Sequence, residues 1–113
     1  QPPLSPEHGA LAGVVRSTLL VVVLTDTHCH LAAAEFAADR GELVAAARAA
    51  GVSRIVVPAV DRANFTEVRA CCTRYAGCVP AYGIHPLCVA RADETHLADL
   101  CDWIAQASTG PQR

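Results

Sequence analysis

Apolar positions along the chain fall into continuous runs separated by segments of mixed polarity. The runs at Leu19–Leu24 and at about Arg54–Val60 are typical of strands buried on both faces. A shorter strand is predicted at about Val79–Tyr82, before a Gly-Ile-His-Pro turn. Proline has no backbone donor, so we expect Pro58 near the end of the second strand or at a bulge.

Helical periodicity follows each predicted strand. The alanine-rich segment GELVAAARAA predicts a helix, with Asp39 and Glu42 at capping-box spacing before it and Gly51 at its end. A second helix is predicted to start near Asn64, and Asp93 is expected to cap a third. The apolar face of the second helix comprises Phe65, Val68, Cys72 and Tyr75. That of the third comprises Leu97, Leu100, Cys101 and Ile104.

The resulting order is β-α-β-α-β-α, which predicts an α/β fold with right-handed crossovers and a parallel sheet. Functional residues in such folds gather at the carboxyl ends of the strands. Asp26, His28 and His30 follow the first predicted strand, Asp61 the second and His85 the third. Side chains with metal-binding or acid–base chemistry therefore lie where this architecture places a site.

Chain length and charge narrow the possibilities. The 113 residues are enough for one modest domain. We expect a loose extension at 1–18 and three βα units at 19–107. A net charge of −2, with nine arginines and no lysine, disfavours a protein that coats nucleic acid.

The six cysteines contain no Cys-x-x-Cys pair and mostly fall within apolar patterns, so reduced thiols are expected rather than a disulfide framework. The apolar run near the N-terminus is too short to cross a bilayer, and no small-residue cleavage site follows it. We expect no membrane span and a cytoplasmic location, with nuclear or secreted locations as weaker alternatives. The oligomeric state is open.

The segment TDTHCHL carries the strongest chemical signal. In extended backbone His28 and His30 point to the same side, so their imidazoles can converge on one ion. Asp26 has the same parity and is expected either to bind the metal directly or to orient a metal-binding histidine through a hydrogen bond. Cys29 points the other way and is expected to pack. The alternative is that the pair only ends a strand, because His-x-His is common by chance.

The other candidates are weaker on their own. A histidine before proline, such as His85, is usually a turn residue, and Asp61 is most simply a turn or helix-start residue. His8 and His96 look incidental, with His96 expected in solvent on the third helix.

Three segments together, DTHCHL, GVSRIVVPAVDRANF and AYGIHP, resemble the start of the TatD-type metal-dependent deoxyribonucleases of the amidohydrolase-like superfamily. The resemblance runs from about Leu24 to Ile104. It implies units of a TIM-type (β/α)₈ barrel, with three of eight present, and a site for one or two divalent ions of the Mg, Mn or Zn class. It also implies 3′→5′ hydrolysis of phosphodiester bonds, typically in DNA. His28 and His30 match the family's metal ligands, and His85 matches a histidine near the substrate phosphate.

The departures from that family are equally clear. The family's bridging glutamate, its two later histidines and its late aspartate have no counterpart in this sequence. A complete barrel of this type has roughly 250 residues. The resemblance therefore implies a partial sequence of a longer enzyme that is inactive alone, in which 108–113 is a truncated connection to a missing fourth strand. Two alternatives stay open: a non-catalytic module that holds a metal, and an amidohydrolase-like enzyme acting on a small molecule.

Overall fold

The computed structural model describes residues 22–109. Its centre is a three-stranded parallel sheet in the order β1-β2-β3, formed by Leu24–Asp26, Val52–Pro58 and Cys78–Ala81. Three α-helices alternate with the strands: α1 at Arg40–Ala49, α2 at Phe65–Arg74 and α3 at Glu94–Thr109. Short 3₁₀ segments lie at Ala34–Phe36, Arg62–Asn64 and Pro86–Arg91. The predicted βα alternation and the parallel sheet are confirmed.

Strand register brings the carboxyl ends of the three strands to the same end of the sheet. Asp26 ends β1 opposite Ile55, and Pro58 ends β2 opposite Ala81 of β3. Pro58 is thus at the end of its strand, as predicted. Because the strands are parallel, the segments after Asp26, Pro58 and Ala81 all leave the sheet in the same direction.

The first strand differs from its prediction at Leu19–Leu24. Residues 19–21 lie outside the described part of the chain, and Val22 and Val23 are not in the strand. The reason is the ladder: Leu24 N donates to the Gly51 carbonyl at 2.8 Å, and the paired partner strand begins only at Val52. Burial on both faces is also wrong for the described residues, since Val22, Val23 and Leu24 are all exposed.

The core lies between the sheet and α1 and α2. Ile55, Val57 and Ala59 alternate along and just past β2, and all three are buried. Phe65 and Val68 of α2 are fully covered against them. The second predicted helical face is confirmed in its first turns. Beyond Val68, Cys71 carries the burial, Cys72 is half-buried and Tyr75 follows the end of the helix.

Helix termini test the capping predictions. Gly51 follows α1 with φ +96° and its N–H donates to the Arg48 carbonyl, which confirms the predicted glycine stop. Asp93 Oδ1 accepts from the backbone N–H of Thr95 at 2.8 Å and of His96 at 3.2 Å, so it caps α3 as predicted. The capping box at Asp39 is wrong, since its side chain makes no cap hydrogen bond. Its ψ of 12° is far from the extended backbone that aims a capping side chain at the first turn.

The predicted apolar face of α3 is only partly buried. Leu97, Cys101 and Ile104 are exposed, while Leu100 packs against the core. The helix docks mainly through Trp103, whose ring lies 5.8 Å from that of Phe65 and 5.3 Å from that of Tyr82. The contact of α3 with the core therefore combines Trp103 with Leu100, one of the four residues of the predicted apolar face.

All six cysteines lie in the described part of the chain and are free, as expected. No helix among residues 22–109 is long and apolar enough to span a membrane. The predicted extension at 1–18 lies outside the described residues. So does most of the predicted connection at 108–113, of which 108 and 109 form the end of α3.

Candidate metal centre

The His-x-His pair lies directly after β1. The backbone N–H of Cys29 donates to the Val56 carbonyl at 3.0 Å, which holds this segment against β2. His28 and His30 consequently point to the same side, and their Nε2 atoms are 3.1 Å apart. Their rings meet edge to face with centroids 4.9 Å apart.

That separation fits a shared metal ion. Two imidazole nitrogens that each lie about 2.0–2.1 Å from one tetrahedral ion are about 3.3–3.4 Å apart. The observed 3.1 Å therefore needs only a small movement of either ring. Neutral imidazole nitrogens are also good ligands for divalent transition metals. In donor chemistry and spacing, the two histidines fit the metal that the sequence predicts.

Asp26 acts on the backbone of this segment. Its Oδ1 accepts a hydrogen bond from the backbone N–H of His28 at 3.1 Å, an Asx-type turn that fixes the chain as it leaves the strand. Within residues 22–109, no three His, Cys, Asp or Glu side chains come close enough to hold a metal together. The direct contribution of Asp26 to a metal site stays a prediction.

Cys29 packs, as its parity predicts. It is partly buried against the core, and burial, followed by the charge of Asp26, raises the pKa of its thiol.

His85 lies at the third strand end, between two backbone contacts. Its N–H donates to the Val60 carbonyl at 2.6 Å, and its Nδ1 accepts from the backbone N–H of Leu87 at 3.1 Å. Since Nδ1 accepts, the neutral ring carries its proton on Nε2. In the described part of the chain, His85 shares no hydrogen bond with His28 or His30.

Asp61 is a helix-start residue, in agreement with the simplest interpretation of its position. It starts the 3₁₀ segment Arg62–Asn64. Asn64 Oδ1 accepts from the backbone N–H groups of Val60 and Asp61, and the Asp61 carbonyl accepts from the Asn64 N–H at 3.1 Å. Asp61 Oδ2 also accepts from Arg91 at 3.4 Å.

The prediction of His96 in solvent is wrong. Its side chain is only 20% exposed and lines a cleft with Asp61, Arg62, Cys88 and Arg91. Sequence reasoning missed this cleft because its residues come from three separate segments and share no motif. The one available signal was Asp61 at a strand end, a position where loops from neighbouring βα units meet.

Comparison with known proteins places these observations in a family. The model of the TatD related DNase family matches residues 25–110. The uncharacterized metal-dependent hydrolase YjjV of Escherichia coli is 35% identical over 75 residues, which are 66% of this chain and 29% of that protein. Human deoxyribonuclease TATDN3 is 36% identical over 67 residues, which are 58% of this chain and 24% of that protein.

The fold agrees with the sequence match. The crystal structure of Escherichia coli YjjV, described as a TatD homolog, superposes with a TM-score of 0.68 at 31% identity, over 74% of this chain and 32% of that one. The predicted fold class, βα units of a TIM-type barrel, is thereby confirmed for the part that is covered. The chain spans less than a third of the length of these relatives. The chain belongs to the TatD related DNase family.

Proposed function

We propose that a protein containing these residues is a divalent-metal-dependent deoxyribonuclease that removes nucleotides from the 3′ end of DNA. The observation that carries the proposal is the convergence of His28 and His30, with Nε2 atoms 3.1 Å apart, at the carboxyl end of β1. The names of the relatives, a metal-dependent hydrolase and a deoxyribonuclease, support both the metal and the substrate.

Each residue has a proposed role that follows from its geometry. His28 and His30 hold a metal of the Mg, Mn or Zn class through Nε2, and Asp26 fixes the backbone that presents His28. The chemistry that such an ion supplies is neutralisation of phosphate charge and acidification of water. His85, with its proton on Nε2, donates a hydrogen bond to a phosphate oxygen of the substrate.

Metal binding by the 113-residue chain tests this assignment without relying on activity. We expect titration calorimetry with Mn²⁺ or Zn²⁺ to show one site that weakens by at least about tenfold in His28→Ala and in His30→Ala, because each change removes one ligand. Thr27→Ala is the matched control, since Thr27 lies in the same exposed segment with opposite parity. Unchanged stoichiometry and affinity in both histidine variants would refute the ligand assignment.

A non-catalytic metal-holding module is the second candidate function. It is favoured by one observation: among the described residues only two donors converge, which leaves most coordination positions of an ion to other groups. Hydrolysis of a DNA strand labelled at its 5′ end distinguishes the two functions. A metal-dependent ladder of shortened products supports the exonuclease, and metal binding with no cleavage by a protein of full family length supports the module.

A further inference from the structure

A cleft of about 280 Å³ lies between the segments that follow β2 and β3 and the start of α3. Arg62 and Arg91 stand on its walls, with Ile84, Cys88 and His96 between them. Asp61 is the carboxylate that lines it. Neither His28 nor His30 contributes to the cleft, so it is separate from the metal centre.

The two arginines are held in place without using most of their donors. Arg62 donates through Nη1 alone, to Asp99 at 3.1 Å and Thr95 at 3.4 Å. Arg91 donates through Nη2 alone, to Asp61 at 3.4 Å and to the Cys88 sulfur at 3.1 Å. A guanidinium has five N–H groups. Towards the described residues, each arginine therefore keeps Nε and one terminal nitrogen uncommitted.

The carboxylates that pair with these arginines compete only weakly with a bound anion for the arginine donors. The Arg62 and Arg91 side chains are 43% and 72% exposed, and exposed single-contact ion pairs contribute little because solvent screens them. A phosphate group offers two oxygens to one edge of a guanidinium. This bidentate contact is stronger and more specific than a single hydrogen bond. The existing contacts leave the Nε/Nη2 edge of Arg62 open for a bidentate contact. Arg91 uses Nη2, which both of its bidentate edges share, so it offers Nε and Nη1 as single donors.

We propose that this cleft binds a phosphate group through Arg62 and Arg91. The topology adds a functional meaning, which rests on the proposed nuclease function. The residues of the cleft come after the carboxyl ends of β2 and β3. The histidine pair comes after the carboxyl end of β1, at the same end of the sheet. A phosphate in the cleft is then one that flanks the cleaved bond of a DNA strand, and Arg62 and Arg91 position the strand.

The test uses the 113-residue chain with EDTA present, so that metal binding does not enter. Binding of inorganic phosphate, the dinucleotide TpT and its 5′-phosphorylated form is measured by phosphorus NMR line broadening. We expect phosphate and the 5′-phosphorylated dinucleotide to bind. The double variant Arg62→Gln/Arg91→Gln should weaken both by about tenfold, as expected for losing charge-assisted hydrogen bonds. TpT should also bind, because the proposed ligand is a phosphodiester of a DNA strand. Binding of phosphate without TpT would restrict the cleft to terminal phosphate and would overturn its proposed role in positioning the strand.

Arg54→Gln is the matched control, since Arg54 is an exposed arginine in the first half of β2, away from the cleft. Circular dichroism confirms folding of each variant. If the glutamine variant is unfolded, Arg62→Lys/Arg91→Lys keeps the charge and removes the planar fork, and should still weaken binding. Absence of phosphate binding by the native chain, or an equal loss in Arg54→Gln, would overturn the proposal. Loss of metal binding in the histidine variants bears only on the proposed function, so the two failures are distinguishable.

Discussion

At the scale of single residues, the Cys72 thiol shows how burial shifts a proton equilibrium. Burial, followed by the neighbouring thiols Cys71 and Cys78, raises the pKa of Cys72 from 9.0 to about 12. Between those two values the unfolded chain gives up the thiol proton and the folded chain keeps it. Stability is therefore fully present below pH 9 and falls as pH rises towards 12.

This sign gives a pH prediction. The urea midpoint of the chain should be flat from pH 7 to 8.5 and should fall from pH 9 to 11. Cys72→Ala should flatten part of that fall. The fall does not vanish, because burial also raises the pKa of Cys71 and Cys78. Cys101→Ala, at an exposed thiol, serves as the control. Equal slopes in the native chain and in Cys72→Ala would contradict the assignment.

Individual residues also show what a sequence can and cannot predict. The convergence of His28 and His30 followed from strand parity, because the backbone alone sets which side chains share a face. Burial of His96 and the missing cap at Asp39 did not follow from local pattern. The first depends on the loop after β2, which belongs to another βα unit, and on the loop after β3 that leads into α3. The second depends on the ψ of 12° at Asp39.

At the scale of elements, Gly77 connects α2 to β3 in a conformation that only glycine adopts easily. Its φ is +85°, and a Cβ there would lie 2.5 Å from the Ser53 carbonyl oxygen of the neighbouring strand. We predict that Gly77→Ala destabilises the fold by at least about 1–2 kcal/mol, from the left-handed backbone alone. Chemical denaturation measures the change.

Gly83→Ala is the matched control for that substitution. A Cβ at Gly83 meets nothing within 4 Å, so the change in stability should stay within about 1 kcal/mol. Similar losses at Gly77 and Gly83 would mean that generic glycine flexibility, rather than the turn geometry before β3, dominates.

Element order was predictable from apolar patterning, while element ends were not. The second strand begins at Val52 rather than near Arg54, and the third at Cys78 rather than Val79. These ends are set by backbone hydrogen bonds, such as Ile55 N–H to the Gly77 carbonyl at 3.0 Å, and not by hydrophobicity. Backbone pairing also sets the start of β1: Leu24 is paired with Val52, where β2 begins, and the apolar residues Val22 and Val23 before it have no partner strand in the described part of the chain.

At the scale of the whole molecule, the sheet is covered unevenly. Parallel sheets are normally buried on both faces. Here the β2 residues Ile55 and Val57 are buried on the side of α1 and α2, whereas Val56 between them is only half-buried. Among the described residues, β1 and β3 each pair along one side only. Such edges invite pairing with another chain.

The approach to β1 is the more apolar of these edges, since Val22, Val23 and Leu24 are all exposed there and Val23 is 73% exposed. We therefore predict that the 113-residue chain associates reversibly. Its sedimentation coefficient should increase when the protein concentration is raised by about tenfold. Val23→Lys should shift this association to higher concentration, because a lysine at an open edge carries an unpaired charge into any strand-to-strand contact. Val89→Lys makes the same change at an exposed valine in the segment Pro86–Arg91, away from the sheet, and should have little effect. If the native chain sediments as a monomer throughout, or if both lysine variants act alike, the β1 edge is not the site of association.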